Sequence, residues 1–192
     1  MNERKVYLIL TDTGTLFTKM IKLFTNKPYN HASISFDPNL CDVYSFGRKE
    51  PTNPFIGGFV KEDIRSHLFQ RAECAVYSCS ISDDQYYRMY KYIKSMEEQR
   101  DLYHYNFLGL FGVLLNKPIK RSNAFFCSEF VASVMEQGDI TEVNKPTSLI
   151  TPHDLTENEA FELLYQGKLA YMNNPEQINP ITEPTTLIPV EL

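Results

Sequence analysis

The chain has 192 residues, of which 43% are hydrophobic and 22% are charged, and its formal net charge is −5 at pH 7. A chain of this length and composition is expected to form one globular domain with its own core. The acidic balance argues against nucleic acid as a main partner, because phosphate backbones bind basic surfaces.

Local patterns argue against a membrane span and a secretory signal. No apolar stretch approaches the about 20 residues that are needed to cross a bilayer. The N-terminal run VYLIL is too short for the apolar part of a secretory signal, and no small-residue cleavage site follows it. We therefore expect a cytoplasmic protein without a transmembrane segment. Its oligomeric state is not indicated by the sequence.

Cysteine spacing bears on metal binding and on disulfides. Cys41, Cys74, Cys79 and Cys127 form no CxxC pair and do not cluster with histidines. This spacing argues against a zinc site, and no other pattern calls for a cofactor. In a reducing compartment, we expect four free thiols.

The first predicted elements are a strand, a helix and a β-hairpin. KVYLILTD, residues 5–12, is β-branched and apolar, which predicts a strand. Apolar residues recur with helical spacing over 15–26, and Pro28 ends that helix. HASISF, 31–36, and DVYSFG, 42–47, predict two strands joined by a turn.

The middle of the chain predicts a loop, a strand and a long helix. Pro and Gly content predicts a loop over 48–58. FVKEDI, 59–64, is either a weak strand or the entry to a helix. CAVYSCSI, 74–81, predicts a strand, and the helical apolar spacing that follows over 84–99 predicts a helix capped by Ser82 or Asp83.

Residues 102–121 are apolar and aromatic with two glycines, which fits either a broken helix or a pocket-forming loop. The stretch NAFFCSEFVASVMEQGD then predicts a helix that is capped by Asn123 and stopped by Gly138.

The last part of the domain opens with Thr151, Pro152 and Asp154, a capping-box arrangement that predicts the start of a further helix. LAYM, 169–172, predicts a final strand. The tail, 173–192, has four prolines and no periodicity, which predicts an extended segment. The fold class is therefore α+β, with a single domain over 1–172 followed by the tail.

Cys127 differs from the other cysteines, which we interpret as packing residues. It lies where a polar stretch changes into a helical apolar pattern, so a cap at Asn123 places it in or near the first turn. Unpaired N–H groups and the positive end of the helix dipole favour a thiolate there. Cys127 is thus either a nucleophile or a small buried hydrophobe.

A thiol nucleophile needs a base, and His31 is the candidate. It is the first residue of a predicted strand in which Ala32 and Ile34 face one side and His31 and Ser33 the other. If the apolar face packs on the core, the imidazole faces the opposite side, toward a cleft.

Two motifs carry a resemblance to a known family. YNHASISF and, later in the chain, FFCSEFVASVM resemble segments of the circularly permuted NlpC-type, papain-like cysteine hydrolases, and most of all of their YiiX-like branch. YHYNF and TSLITPHDL are similar to further segments of that branch. The histidine precedes the cysteine, which is the permuted order. The resemblance implies a permuted papain-like fold, in which a small antiparallel sheet packs against helices.

The resemblance also implies roles for individual residues. Cys127 would be the nucleophile, and His31 the base that activates it and then protonates the leaving group. Ser45 matches the position of the residue that orients the imidazole, where relatives usually have Glu or His. Because serine carries no charge, either Asp12 assists or activity is reduced. Tyr105 and Asp12 are the predicted substrate-binding residues, although Tyr105 fits a core aromatic equally well.

Three functions stay open at this point. The first is a cysteine peptidase or amidase that cleaves a small peptide or a wall-derived peptide through a thioester. The second is a lipid or ester acyltransferase of the lecithin:retinol acyltransferase type, with the apolar residues 106–115 lining a lipid pocket or serving as core. The third is a binding module without turnover, for which Ser45 is the hint.

Overall fold

The structure is a computed structural model that describes residues 4–12, 27–49, 56–140 and 145–172. The helix that is predicted over 15–26 and the tail over 173–192 lie outside the described residues.

The described residues form one large antiparallel sheet and a small parallel ladder. The order of strands in the large sheet is β4-β3-β2-β1-β5-β8. The small ladder pairs β6 with β7. The strands are β1 (Arg4–Asp12), β2 (His31–Ser35), β3 (Val43–Arg48), β4 (Gly57–Glu62), β5 (Glu73–Ile81), β6 (His104–Tyr105), β7 (Ala124–Phe125) and β8 (Glu162–Lys168).

Four α-helices lie within the described residues, and short 3-10 turns connect other elements. The helices are α1 (His67–Gln70), α2 (Asp83–Glu98), α3 (Phe107–Leu114) and α4 (Cys127–Gln137). The α+β class that the sequence predicts is confirmed: a six-stranded antiparallel sheet is combined with helices.

Alternation along the strands divides the core into two clusters. Val6, Leu8 and Leu10 of β1 face the cluster that includes α4, whereas Tyr7 and Ile9 face the second cluster. Strand side chains alternate between faces, and both faces of β1 are covered, so its sequence is apolar almost throughout. This central strand holds the two layers together.

Several predicted elements are confirmed. β2 and β3 form the expected antiparallel hairpin. Of the two alternatives for 59–64, the strand is observed: β4 covers Gly57–Glu62, and so it also takes the last two residues of the loop that was predicted over 48–58. Ser82 caps α2: its side chain accepts a hydrogen bond from the N–H of Gln85, whose side chain accepts one from Ser82 in return.

The predicted start of α4 is wrong. The N-cap is Phe126 and not Asn123, and Gly138 ends the helix as expected. Asn123 instead adopts a positive φ of 55°, and the two residues after it form β7. Pairing of β7 with β6 keeps this segment extended up to the cysteine, so the helix cannot begin earlier.

The predicted helix after Thr151 is also wrong. Thr151 and Asp154 do exchange hydrogen bonds, because the Thr151 N–H donates to Asp154 Oδ2 over 2.7 Å and the Asp154 N–H donates to Thr151 Oγ1 over 3.3 Å. Only a 3-10 turn over Asp154–Glu157 follows. The chain then forms edge strand β8 on β5, and the expected strand over 169–172 is instead a 3-10 turn over Leu169–Tyr171.

The apolar stretch over 102–121 contains a short helix. α3 begins after Asn106, whose side-chain oxygen accepts a hydrogen bond from the N–H of Gly109 over 3.0 Å. β6 precedes it and carries Tyr105. Of the two readings of this stretch, the interrupted helix is the one observed.

Candidate active site

The site lies where β2 and β3 separate. β2 pairs with β1 along its whole length, but its register with β3 covers only Ile34 with Tyr44 and Ser35 with Val43. Beyond that point β3 continues to pair with β4 alone. The first residues of β2 therefore pair with no described strand on that side, and the N-terminus of α4 meets them there.

Cys127 is the first residue of α4 and is only 3% exposed. Burial alone would raise the pKa of its thiol, but a hydrogen bond with His31 and the charge of that imidazole lower the pKa below its ordinary value. The backbone N–H groups of Ala32 and Ser128 act in the same direction. Ala32 lies on the edge of β2 that pairs with no strand among the described residues, and Ser128 lies in the first turn of α4.

His31 shows the complementary shift. Burial alone would lower the pKa of the imidazole, but the carboxylate of Glu62 and the hydrogen bonds with Cys127 and Glu62 raise the pKa well above its ordinary value. The Nε2 atom of His31 lies 2.7 Å from Glu62 Oε1, so Nδ1 is the ring nitrogen available to the sulfur. Opposite pKa shifts of two groups in contact favour transfer of the thiol proton to the imidazole.

Glu62 is the residue that sequence reasoning missed. It ends β4, opposite Val43, and its side chain is 8% exposed. Ser33 donates a hydrogen bond of 2.5 Å to its second oxygen, Oε2. The signal was present: Val60 and Glu62 alternate onto one face of β4, and Val60 pairs with Ser45. Uncertainty about whether 59–64 is a strand hid this alternation.

Ser45 lies beside the imidazole, but the charged partner of the ring is Glu62. The Ser45 hydroxyl is 3.4 Å from His31 Nε2 and donates a hydrogen bond of 2.7 Å to the carbonyl oxygen of Ala32. It therefore spans the gap between β2 and β3. Glu62 thus places a carboxylate beside the imidazole from the strand next to the one that carries Ser45.

Asp12 is the last residue of β1, one residue beyond the pair formed by Thr11 and His31. The side-chain amide of Asn30 donates a hydrogen bond of 2.9 Å to Asp12 Oδ1. The carboxylate in contact with the imidazole is that of Glu62, whereas Asp12 contacts Asn30, the residue before His31.

Tyr105 is in contact with the nucleophile. Its side chain is 8% exposed, and its phenol forms hydrogen bonds with both the side chain and the backbone of Cys127. Burial and the negative sulfur raise the pKa of this phenol well above its ordinary value, so it stays protonated. Its ring centroid lies 4.8 Å from that of Phe107. Tyr105 therefore belongs to the hydrophobic core cluster and also contacts the sulfur of Cys127.

A buried carboxyl ties the segments around the site together. Glu129, in the first turn of α4, accepts hydrogen bonds from the N–H of Phe126 over 3.3 Å and from the side-chain amide of Asn106 over 3.4 Å. It thereby links the residue before Cys127 to the residue after Tyr105. Burial raises the pKa of Glu129 to about 7.

The pair is more enclosed than the sequence analysis expected. An open cleft was predicted, yet Cys127 is 3% exposed and the His31 side chain 14%.

Within the described ranges, no group of three His, Cys, Asp or Glu side chains could hold a metal ion. None of the described helices is long and apolar enough to span a bilayer.

Comparisons with known proteins add no relative. No model of a known protein family matches the chain. A search of curated proteins also finds no significant match. The resemblance of the two short motifs therefore remains a prediction, and function has to be argued from the site.

Proposed function

We propose that the protein is a thiol hydrolase in which Cys127 is the nucleophile, His31 the proton carrier and Glu62 the residue that orients the imidazole. The observation that carries the proposal is the chain of contacts from thiol to imidazole to carboxylate, together with the opposite pKa shifts of Cys127 and His31. This is the arrangement that activates a cysteine for attack on a carbonyl carbon.

The reaction follows from these positions. The Cys127 thiolate forms a C–S bond with the carbonyl carbon of an amide, and the carbonyl electron pair moves to the oxygen. The amide C–N bond then breaks, and the leaving nitrogen takes the proton from His31. Water then attacks the thioester carbon while His31 accepts one of its protons, the C–S bond breaks, and the carboxylic acid leaves as the Cys127 thiolate and the imidazolium are regenerated.

Two groups are placed to bind the developing oxyanion. The backbone N–H of Cys127 contacts the Tyr105 phenol in the resting site. Entry of a substrate oxygen requires that contact to open, after which the N–H and the phenolic O–H can both donate. Preorganised donors of this kind typically contribute about 3 kcal/mol each to transition-state stabilisation.

We also propose that the fold is the permuted papain-like arrangement. Support comes from an antiparallel sheet that carries the histidine on β2, and from a later helix that begins at the cysteine and packs on that sheet. The substrate we favour is the amide of a small peptide, including a wall-derived fragment, in the cytoplasm. The low exposure of the pair favours a small or extended group at the reacting bond.

Acyl transfer to an acceptor other than water is the second candidate. The observation that favours it is the exposed apolar side of α3, whose first residue, Phe107, contacts Tyr105. The binding-module reading loses its support, because Glu62 provides the charge that Ser45 lacks.

The test exploits an internal control in this chain. Cys41 is exposed, whereas Cys127 is buried beside His31. We expect iodoacetamide at pH 6, followed by peptide mass spectrometry, to modify Cys127 faster than Cys41. His31→Ala should abolish that preference. Faster modification of Cys41 in the unaltered protein would contradict the thiolate and with it the proposed function.

The products formed from two kinds of substrate distinguish amide hydrolysis from acyl transfer. Short peptides and short-chain phospholipids are incubated separately with the protein, with Cys127→Ala as the inactive control. Release of a free amine from the peptides supports the hydrolase, and transfer of an acyl group from the phospholipid supports the alternative.

A further inference from the structure

Helix α3 presents an unusual apolar surface to solvent. Leu108 is 53% exposed, Phe111 56% and Leu115, just past the helix end, 68%. Their spacing of three and four residues places them on one side of the helix. The opposite side is packed against the protein, since Gly109 and Gly112 are buried there. Contiguous exposed apolar side chains of this size usually mark an interaction surface.

The glycines show that α3 is held in this orientation by close packing. A Cβ atom at Gly109 would lie 3.1 Å from a ring carbon of Phe126, the residue before Cys127, and one at Gly112 would lie 3.1 Å from the Ile119 side chain. The helix therefore cannot rotate to bury Phe111 without losing that fit. The apolar stripe, defined as Leu108, Phe111 and Leu115, is a fixed feature of the surface.

Charge next to the stripe indicates what it binds. Lys117, Lys120 and Arg121 follow directly and are all exposed. The sequence between Asp101 and Glu129 contains no acidic residue, although the whole chain carries a net charge of −5. This stretch is thus basic in an acidic protein. Apolar side chains bordered by Lys and Arg match the interface of an anionic bilayer, in which the apolar groups insert and the cations contact lipid phosphates.

We propose that α3 and the basic loop over 117–121 dock the protein on the surface of an anionic lipid bilayer. The proposal is independent of the proposed function, because the stripe does not include a reacting group. It has a consequence for that function: α3 spans about 12 Å at 1.5 Å per residue and starts beside Tyr105, so a docked bilayer lies near the candidate active site.

Vesicle flotation tests the docking. The full chain is mixed with vesicles of phosphatidylglycerol and phosphatidylcholine, or of phosphatidylcholine alone, at low salt. We expect at least tenfold stronger binding to the anionic vesicles, and weaker binding at high salt because exposed charges are screened. Phe111→Asp and Lys120→Glu should each reduce binding at least fivefold, whereas Tyr87→Ser, at a 63% exposed aromatic on α2, should not change it.

Three outcomes would overturn the docking proposal. One is the absence of vesicle binding, and another is equal binding by the protein and by Phe111→Asp. The third is a concentration-dependent dimer in solution that Phe111→Asp abolishes, which would assign the stripe to a second copy of the chain. Cys127→Ala should bind vesicles normally, so a failure of the proposed enzymatic function would leave this result intact.

Discussion

Replacement of Glu62 by Gln tests which residue orients the imidazole. The carboxylate lies 2.7 Å from His31 Nε2, and the two side chains are 8% and 14% exposed. A charge-assisted hydrogen bond between groups this enclosed contributes ~1.5–3 kcal/mol net. Its loss therefore lowers the pKa of His31, because the imidazolium loses its negative partner. Glutamine keeps the shape and an oxygen acceptor, so the change isolates the charge.

The sign of the effect follows from the pKa of the imidazole. In the unaltered protein, the carboxylate of Glu62 raises the pKa of His31, and the imidazole in turn lowers the pKa of Cys127, so both shifts favour the imidazolium and the thiolate. Without the carboxylate charge, the proton returns to the sulfur of Cys127, and the thiolate forms only at higher pH. We expect the rate of alkylation of Cys127 by iodoacetamide at pH 6 to fall about 10- to 100-fold, because each ~1.4 kcal/mol of lost stabilisation is a factor of ten.

Ser45→Ala is the matched control for that measurement. The Ser45 hydroxyl donates to the carbonyl oxygen of Ala32 and lies 3.4 Å from the same ring nitrogen. Its loss removes no charge, so the alkylation rate should change less than threefold. Equal effects of Glu62→Gln and Ser45→Ala, or an unchanged rate in Glu62→Gln, would refute the assignment of Glu62.

Three further changes probe the surroundings of the site. Tyr105→Phe removes one proposed oxyanion donor, so kcat/KM on an amide substrate should fall at least tenfold with less effect on alkylation. Burial raises the pKa of Glu129 to about 7, so its folded form favours the proton and stability is lost as pH rises from about 4.5 through 7. Urea unfolding should therefore show Glu129→Gln gaining up to ~3 kcal/mol over the unaltered protein at pH 8, with no gain at pH 4.5. Gly58→Ala would drive a Cβ atom into the carbonyl oxygen of Tyr103 and should lower the free energy of unfolding by ~1–3 kcal/mol. Gly47→Ala is the control: the nearest atom to its Cβ would be 3.5 Å away, so the free energy of unfolding should change little.

Sequence periodicity predicted most elements and failed where pairing between distant segments decides. The hairpin of β2 and β3 and the capped helix α2 depend on neighbours along the chain, and both were predictable. The start of α4 and the edge strand β8 were not. Local signals assign both segments to a helix. Pairing with β6 keeps the residues before α4 extended, and pairing with β5 keeps β8 extended.

The candidate site divides in the same way. Cys127 and His31 could be selected from sequence because each stands at a recognisable boundary, a helix start and a strand start. Glu62 could be selected only once 59–64 is assigned to a strand, and its role beside the imidazole depends on where that strand pairs. Whether β4 lies beside β3 is decided by pairing across a loop.

Two properties of this protein were determined by the sequence itself: an α+β domain, and a cysteine at the first turn of a helix. Both follow from short-range periodicity and backbone chemistry, which act within a few residues. The tertiary structure alone decided that the sulfur meets the imidazole at the gap between β2 and β3, and that a carboxylate lies behind the ring. A pKa depends on charges and burial within a few ångströms in space, and residues from three separate segments provide them here.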